Sequence, residues 1–141
     1  MGTWSTLPFG NDDAADWAYE LDEPNDLAPI EDAIDRVLAV GGGQLLELFE
    51  GSAALAAIEL LACLRGHPGD TETYTENADA WLTASTIRPP AALVDRALAA
   101  IDRVTAEKSE LRELWREGDE FEAWLAAVAD LRARVAADPP K

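Results

Sequence analysis

The stretch from Ser52 to Arg65 is apolar on nearly every side of a helix. After its cap it reads Ala-Ala-Leu-Ala-Ala-Ile-Glu-Leu-Leu-Ala-Cys-Leu, interrupted by one charged residue, Glu59. Such a helix is expected at the centre of a fold, where neighbouring elements cover most of its surface. The rest of the chain also favours helices, since its 27 alanines far outnumber its 11 valines and isoleucines. The sequence therefore predicts an all-α protein.

Capping residues, prolines and apolar stripes divide the chain into helical segments. We expect helices from Asn11 or Asp12 to about Leu21, from Pro29 to the glycines at 41–43, from Ser52 to about Arg65, from Asn77 over Trp81, from Pro89-Pro90 over Leu93 to Val104, from Ser109 to Gly118, and from about Glu120 to Ala137. Three of these seven segments, those that begin at Asn11, Asn77 and Ser109, are short, and we expect a compact bundle of about five to six helices. The length of 141 residues suggests a single domain, residues 1–141, with an extended N-terminal segment (1–11) packed on the bundle and a short C-terminal tail (138–141).

Charge is distributed unevenly along the chain. The formal net charge is −17, but residues 1–80 hold 17 acidic and 2 basic residues, whereas residues 81–141 hold 11 acidic and 9 basic residues. The first 35 residues contain 10 acids and no base. A surface of this sign repels nucleic-acid phosphates and anionic lipid and attracts basic proteins. We therefore expect a basic protein partner, no nucleic acid and no membrane.

The counts of reactive residues exclude several kinds of site. One cysteine cannot form an internal disulfide, and together with one histidine it cannot supply the ligands of a zinc site. No apolar run reaches the roughly 18 residues that cross a bilayer, and no secretory signal opens the chain. Residues 1–6 formally fit a myristoylation pattern, yet the acidic sequence that follows opposes an anionic membrane surface. We expect a cytoplasmic protein without a cofactor, monomeric or weakly dimeric.

The N-terminal segment is the main candidate binding region. Its aromatic and polar residues frame an Asn-Asp-Asp cap, and the candidates are Trp4, Phe9, Asn11, Asp12, Asp13, Asp16 and Trp17. In the structural interpretation, the rings pin the segment to the core and the acids complement a helix dipole. In the alternative, Asp12, Asp16 and Glu20 line one helix face and hold Mg²⁺ or Ca²⁺ through their oxygens. The structural interpretation is favoured, because neither an EF-hand spacing nor a Glu-x-x-His pair is present.

Three further residues, Glu59, Cys63 and His67, have side chains that could take part in catalysis. Glu59 is a possible buried carboxylate, because it stands alone among apolar residues, and Arg65 or Arg36 could pair with it. Cys63 and His67 lie four residues apart, the reach of a nucleophilic pair on a helix. His67, however, falls in a helix-stopping Gly-His-Pro-Gly turn, and Cys63 is placed as a small apolar filler. We therefore predict no catalytic residues.

Two C-terminal tryptophans also have two interpretations. Trp115 and Trp124 lie on apolar stripes, which predicts that they pack in the core. An exposed aromatic patch rimmed by Arg112, Arg116 and Arg132 would instead mark an interaction surface.

The chain resembles a bacterial family known as domain of unknown function 4259. The resemblance rests on the opening, Met-Gly-Thr-Trp-Ser-Thr-x-Pro-Phe-Gly-Asn-Asp-Asp-Ala-Ala-Asp-Trp, on the Ala-rich central helix and on the C-terminal Glu-Leu-Arg-Glu-Leu-Trp pattern. Ser5 and Gly10 depart mildly from the family pattern. The resemblance implies a small bacterial protein, and it transfers no catalytic residue or ligand.

Two functional hypotheses follow. The first is a non-enzymatic protein-interaction module, comparable to inhibitor or immunity proteins, because one acidic half adjoins a nearly neutral half without a reactive constellation. The second is a metal-dependent enzyme or small-ligand binder that uses Asp12, Asp13 and Asp16 together with Glu59. We favour the first, because a catalytic pair needs matched groups within reach of each other.

Overall fold

The structure, a computed structural model, describes residues 5–139 and is all-α over that range. Its helices are α1 (Asp12–Ala18), α2 (Ala28–Leu38), α3 (Leu48–Leu64), α4 (Glu76–Ala84), α5 (Ala91–Thr105), α6 (Glu110–Arg116) and α7 (Phe121–Ala136), with a 3₁₀ turn at Thr71–Thr73 before α4. The all-α prediction is confirmed, whereas the predicted number of five to six helices is wrong. Both short helices, α1 and α6, are separate elements because each has its own side-chain cap, Asn11 and Ser109.

Helix α3 lies at the centre of the bundle. It packs against all six of the other α-helices, and every residue from Gly51 to Ala62 is buried. The apolar circumference of this segment explains its position, because a helix without a polar face can satisfy its surface only by being covered. The amphipathic helices α2, α5 and α7 surround it and turn their apolar stripes inward.

Helix α3 begins four residues before the predicted Ser52. The backbone N–H of Leu48 donates to the carboxylate of Glu110 at 2.6 Å, so a side chain from α6 caps this helix. Just before the helix, Leu46 forms a two-hydrogen-bond bridge with the segment around Ser109, through Leu46 N to Lys108 O at 2.8 Å and Glu110 N to Leu46 O at 2.9 Å. The cap comes from a residue 62 positions away, which explains why local sequence signals placed the start too late.

The N-terminal segment is a turn where the structure describes it. Residues 5–10 close on themselves, with Ser5 N donating to Gly10 O at 3.1 Å and Gly10 N donating to Leu7 O at 2.9 Å. A Cβ at Gly10 would collide with the side chain of Ser5, so the turn requires glycine there. The extended conformation predicted for residues 1–11 is therefore wrong for residues 5–10, and residues 1–4 lie outside the described part.

The C-terminal segment is held against the end of α3. Arg65 donates to the carbonyl of Ala137 at 2.7 Å, and Nε2 of His67 lies 2.7 Å from the carbonyl of Asp138. The last two residues, 140 and 141, lie outside the described part.

Within residues 5–139 no helix has the length and apolarity needed to cross a bilayer. The division into one domain stays a prediction.

Candidate functional site

The aromatic residues of the N-terminal motif belong to the core. Phe9 and Trp17 are each 2% exposed, and the ring of Phe9 lies 5.3 Å from that of Tyr74. Asn11 is also buried, and its side chain accepts a hydrogen bond from Ala14 N at 2.7 Å, which caps α1. Trp4 lies outside the described residues. The buried members of the motif that the structure describes therefore belong to the packed interior.

The carboxylates of the motif point to water. Asp12 and Asp16 are exposed, and Asp13 is half-buried. Burial raises the pKa of Asp13, and the charges of Asp16, Asp12 and Glu110 raise it further. Because α1 ends at Ala18, Glu20 lies beyond the helix and does not continue a face formed by Asp12 and Asp16. Among residues 5–139, no group of three or more His, Cys, Asp or Glu side chains is arranged to hold a metal ion.

A larger group of carboxylates lies on two segments that hydrogen bonds hold side by side, and we call this group the acidic face. All of its members are exposed, and they lie in residues 16–26 and in the first turn of α4. They are Asp16, Glu20, Asp22, Glu23, Asp26, Glu76 and Asp79. Neither stretch contains a lysine or arginine. None of these seven carboxylates forms an ion pair with another described residue. The acidic face therefore carries uncompensated negative charge.

Hydrogen bonds join the two parts of the acidic face. The side-chain amide of Asn77 donates to the carbonyl of Ala18, and the indole of Trp81 donates to the carbonyl of Glu23 at 2.8 Å. Asn25, whose φ of 66° is left-handed, accepts from the backbone N–H groups of Thr86 at 2.7 Å and Ile87 at 2.8 Å. Asparagine tolerates this conformation better than most residues, which fits its place in the turn. These bonds fix the backbone on which the carboxylates are displayed.

Several arginines pair with carboxylates outside the acidic face. Arg96 contacts Asp35 and lies 3.8 Å from Glu31, while Arg132 lies 3.3 Å from Asp102. These pairs are solvent-exposed and contribute little to stability individually. Their position matters more, because they compensate carboxylates of α2 and α5, whereas no described cation pairs with the acidic face.

One aromatic residue stands out on the acidic face. Tyr19 follows α1 as its C-cap residue, and 78% of its surface is exposed. Its backbone N–H donates to Asp16 O at 3.2 Å, so the ring projects from a fixed turn. Glu20 follows it directly, and Asp22 and Glu23 are within four residues. No periodic pattern in the sequence marks Tyr19 as exposed, so its exposure was not predicted.

A second charged group, the buried charge cluster, lies inside the bundle. It consists of Glu59, Cys63, Gly69, Tyr74 and Arg134. Glu59 is 1% exposed, and its two oxygens accept hydrogen bonds from the two terminal nitrogens of Arg134, each at 2.7 Å. Tyr74 OH and Gly69 N, the latter at 3.0 Å, donate to the oxygen Oε2. The carboxylate is therefore fully satisfied.

The guanidinium of Arg134 lies flat against the backbone of Gly69. A Cβ at this glycine would stand 2.9 Å from the nearest terminal nitrogen of Arg134, so a larger residue would displace the ion pair. Arg134 also donates to Asp130 at 2.8 Å and to the carbonyl of His67 at 3.2 Å. The cluster thus ties together α3, the loop that follows it and α7.

The ion-pair partners that the sequence predicts for Glu59, Arg65 or Arg36, are wrong. Glu59 pairs with Arg134, whereas Arg65 donates to the backbone of Ala137, and Arg36 lies 4.0 Å from Glu50. Arg134 is 75 residues away in sequence, and only the packing of α7 on α3 brings it to the carboxylate.

The groups of this cluster are held protonated or paired. Burial raises the pKa of the Cys63 thiol to about 12, and burial together with the hydrogen bonds that join Tyr74 to Cys63 and Glu59 raises the pKa of Tyr74 well above its ordinary value. Burial lowers the pKa of Arg134, but the hydrogen bonds and charges of Glu59 and Asp130 outweigh it and raise this pKa overall. A thiol with such a pKa is a poor nucleophile at neutral pH.

Cys63 and His67 do not form a pair. The sulfur of Cys63 lies 3.1 Å from the Tyr74 hydroxyl, while the ring of His67 contacts the carbonyl of Asp138. Both residues therefore serve local structure in this fold.

The C-terminal tryptophans divide between core and boundary. Trp124 is 2% exposed, and Trp115 is half-buried against the core. The guanidinium of Arg112 lies 5.6 Å from the ring centre of Phe121, and Arg116 pairs with Glu113 at 3.8 Å. With Trp124 in the core, these arginines do not rim an exposed patch of two tryptophans.

Two small clefts lie among the described residues. A cleft between α1, α2 and α3, lined by Trp17 and Phe49, has room for roughly one water molecule. A second cleft, under the N-terminal turn beside Trp115, is of the same size. Neither is deep enough to enclose a metabolite.

The geometry thus defines a small helical protein with one fully hydrogen-bonded buried carboxylate and an acidic face without an ion-pair partner among the described residues. A family model described as a domain of unknown function (DUF4259) matches residues 2–127, and the chain belongs to that family. Arg134 lies beyond the matched range, although its partner Glu59 lies within it. No curated protein and no solved structure matches the chain.

Proposed function

We propose that the protein is a non-enzymatic interaction module, acting in the manner of inhibitor or immunity proteins, and that its acidic face binds a basic surface of a partner protein. The observation that carries this proposal is the set of seven exposed carboxylates without an ion-pair partner among the described residues. Like charges held close together repel each other and destabilise the folded chain slightly. A cationic partner relieves this repulsion, and the same field speeds its approach.

The interior supports the non-enzymatic part of the proposal. The buried groups that could take part in catalysis are Glu59, Cys63 and Tyr74. They form hydrogen bonds with one another and with Arg134. Catalysis by proton transfer needs a group that is titratable near neutral pH and open to substrate. We also propose that the module acts in the bacterial cytoplasm, since a lone thiol stays reduced in that compartment. We propose further that it is a monomer or weak dimer.

The chain offers a matched pair of variants for testing the proposal. The pattern Glu-x-Asp-Glu occurs at Glu20, Asp22 and Glu23 on the acidic face and again at Glu117, Asp119 and Glu120 between α6 and α7. All six side chains are exposed, and none is ion-paired with a described residue. The face triple is Glu20→Gln, Asp22→Asn and Glu23→Gln, and the control triple is Glu117→Gln, Asp119→Asn and Glu120→Gln. Both remove three negative charges at the same spacing.

The experiment is capture from a lysate of the source bacterium on each immobilised protein at low salt, followed by elution with a salt gradient. We expect the wild type and the control triple to retain the same basic protein, and the face triple to release it at much lower salt. Equal retention by the two triples would contradict the proposal, as would a wild type that retains no protein in a salt-dependent manner.

A further inference from the structure

We infer that an ordered water molecule binds in the cleft between α1, α2 and α3, where it joins the indole N–H of Trp17 to the carboxylate of Glu50. The inference is independent of the proposed function, because it concerns a buried donor and not the exposed carboxylates. Trp17 is 2% exposed and lines this cleft. A buried tryptophan normally donates its N–H to an acceptor, because an unmade hydrogen bond is costly inside a protein.

A comparison of two buried tryptophans shows what Trp17 lacks. Trp81 is 4% exposed, and its indole N–H donates to the carbonyl of Glu23 at 2.8 Å. The indole N–H of Trp17 has no acceptor among residues 5–139. Within that range, the side-chain nitrogens that lack a partner and are also sealed from solvent belong to Arg65 and Arg112. The indole nitrogen of Trp17 is not one of them, so it is open to a water molecule.

A second polar side chain of the same cleft also lacks a described hydrogen bond. Glu50 lies in the first turn of α3, and its side chain is 26% exposed. The cation closest to it among the described residues is Arg36, whose Nη1 lies 4.0 Å from Oε2 of Glu50. This separation is too long for a direct hydrogen bond, and water often bridges polar groups at such a distance. The cleft therefore contains a donor and an acceptor that the described residues do not pair.

The chemistry of the cleft favours water over an ion. Trp17 donates a hydrogen and Glu50 accepts one, so the occupant must accept and donate at the same time. A metal cation cannot accept the indole hydrogen, and a halide cannot donate to a carboxylate. The cleft has room for roughly one water molecule, and water forms both bonds. Asp32 and Arg36 also line the cleft, which brings the polar side chains around the water to the about two to four that a buried water needs.

The test is nuclear magnetic resonance of the isotope-labelled wild type. In a pair of NOESY and ROESY spectra, the signs of the cross-peaks between indole N–H and water separate a long-lived contact from bulk water and from proton exchange. No serine, threonine or tyrosine lines the cleft, so hydroxyl protons of its walls do not produce this signal. We expect a long-lived water contact at Trp17 and none at Trp81, whose N–H is bonded to Glu23. Triple-resonance spectra assign both signals without a tryptophan variant.

Two variants of similar shape at Glu50 test the bridge itself. Glu50→Gln keeps an acceptor oxygen and should retain the water contact of Trp17, whereas Glu50→Met removes the acceptor and should lose the contact. Glu47→Met is the matched control, because Glu47 is exposed and does not line the cleft, and it should leave the contact unchanged.

The outcomes decide the inference directly. A wild-type Trp17 signal without a long-lived water contact would overturn it, and so would a contact that persists unchanged in Glu50→Met. Loss of the contact in Glu47→Met as well would also count against it, because a water held by Glu50 does not depend on Glu47. The amide correlation spectrum of each variant verifies that the fold is intact.

Discussion

The acidic face and the buried charge cluster contain the same chemical group in opposite surroundings. On the acidic face seven carboxylates stand in water without a described cation beside them. Inside the bundle a single carboxylate, that of Glu59, receives two hydrogen bonds from Arg134, one from Tyr74 and one from Gly69. The chain thus supplies full compensation in one place and none in the other.

The difference follows from the cost of charge in each medium. Water and salt screen repulsion between exposed carboxylates, so leaving them unpaired costs little. An unpaired charge in the interior costs several kcal/mol. This cost is a large fraction of the free energy of unfolding of a small domain. We therefore expect loss of the buried pair to destabilise the fold strongly, whereas the exposed carboxylates need no cation from the same chain.

The largest expected effect is that of removing the partner of Glu59. Arg134→Met leaves a buried carboxylate without its cation, and we expect the free energy of unfolding to fall by about 3–5 kcal/mol in urea denaturation. Arg132→Met is the matched control in the same helix, because its exposed pair with Asp102 should contribute less than about 1 kcal/mol. Equal losses in the two variants would show that the buried charge cluster is no more important than a surface pair.

The buried charge cluster should also make the fold sensitive to alkaline pH. The thiol of Cys63 has an ordinary pKa of 9.0 and a folded pKa of about 12. Above pH 9 the unfolded chain releases this proton and the folded chain keeps it, so the unfolded state binds fewer protons and stability falls as pH rises. We expect the free energy of unfolding to drop by about 2 kcal/mol between pH 9 and pH 11 on this account. The measurement is a series of urea titrations across that range.

Cys63→Ala serves as the reference for this pH dependence. It has no thiol to titrate, so its stability should fall less steeply between pH 9 and pH 11 than that of the wild type. Part of the slope should remain, because the pKa of Tyr74 is raised as well. Identical slopes in the two proteins would contradict the assignment to Cys63.

The sequence predicts those features that depend on neighbouring residues. The all-α fold, the central position of α3 and the caps at Asn11 and Ser109 follow from composition, periodicity and local hydrogen bonding, and the structure contains them. Local signals also suggested that residues 1–11 are extended, but Pro8 and Gly10 favour a turn and residues 5–10 adopt one.

Features made by distant residues escaped prediction. Glu110 caps α3 from 62 residues away, and Arg134 pairs with Glu59 from 75 residues away. The acidic face likewise depends on Trp81, whose indole brings α4 to the loop after α1 across 58 residues. Uneven charge along the chain is visible in the sequence, but its assembly into one surface is decided by packing.

An intermediate effect is expected at the cap of α1. Asn11→Ala removes the acceptor for Ala14 N and should cost about 1 kcal/mol of unfolding free energy. Asn11→Asp retains an acceptor at the same position and should lose much less. Thermal or urea unfolding distinguishes them. If both variants are as stable as the wild type, the hydrogen bond of the Asn11 side chain to Ala14 N does not stabilise this fold.

The smallest expected effect has the opposite sign and concerns the acidic face itself. The face triple removes three charges that repel each other and follow the C-terminus of α1, where the helix dipole disfavours carboxylates. We expect it to raise the free energy of unfolding by about 0.5–1 kcal/mol at low salt, and the gain should shrink at 0.5 M salt because screening already weakens the repulsion in the wild type. The control triple removes Asp119 and Glu120 beside the N-terminus of α7, where carboxylates are favourable, but also Glu117 at the C-terminus of α6, where they are unfavourable, so it should change stability by less than about 0.5 kcal/mol. A face triple that is less stable than the wild type at both salt concentrations would mean that these carboxylates support the fold, and they would then resemble Glu59 in role despite their exposure.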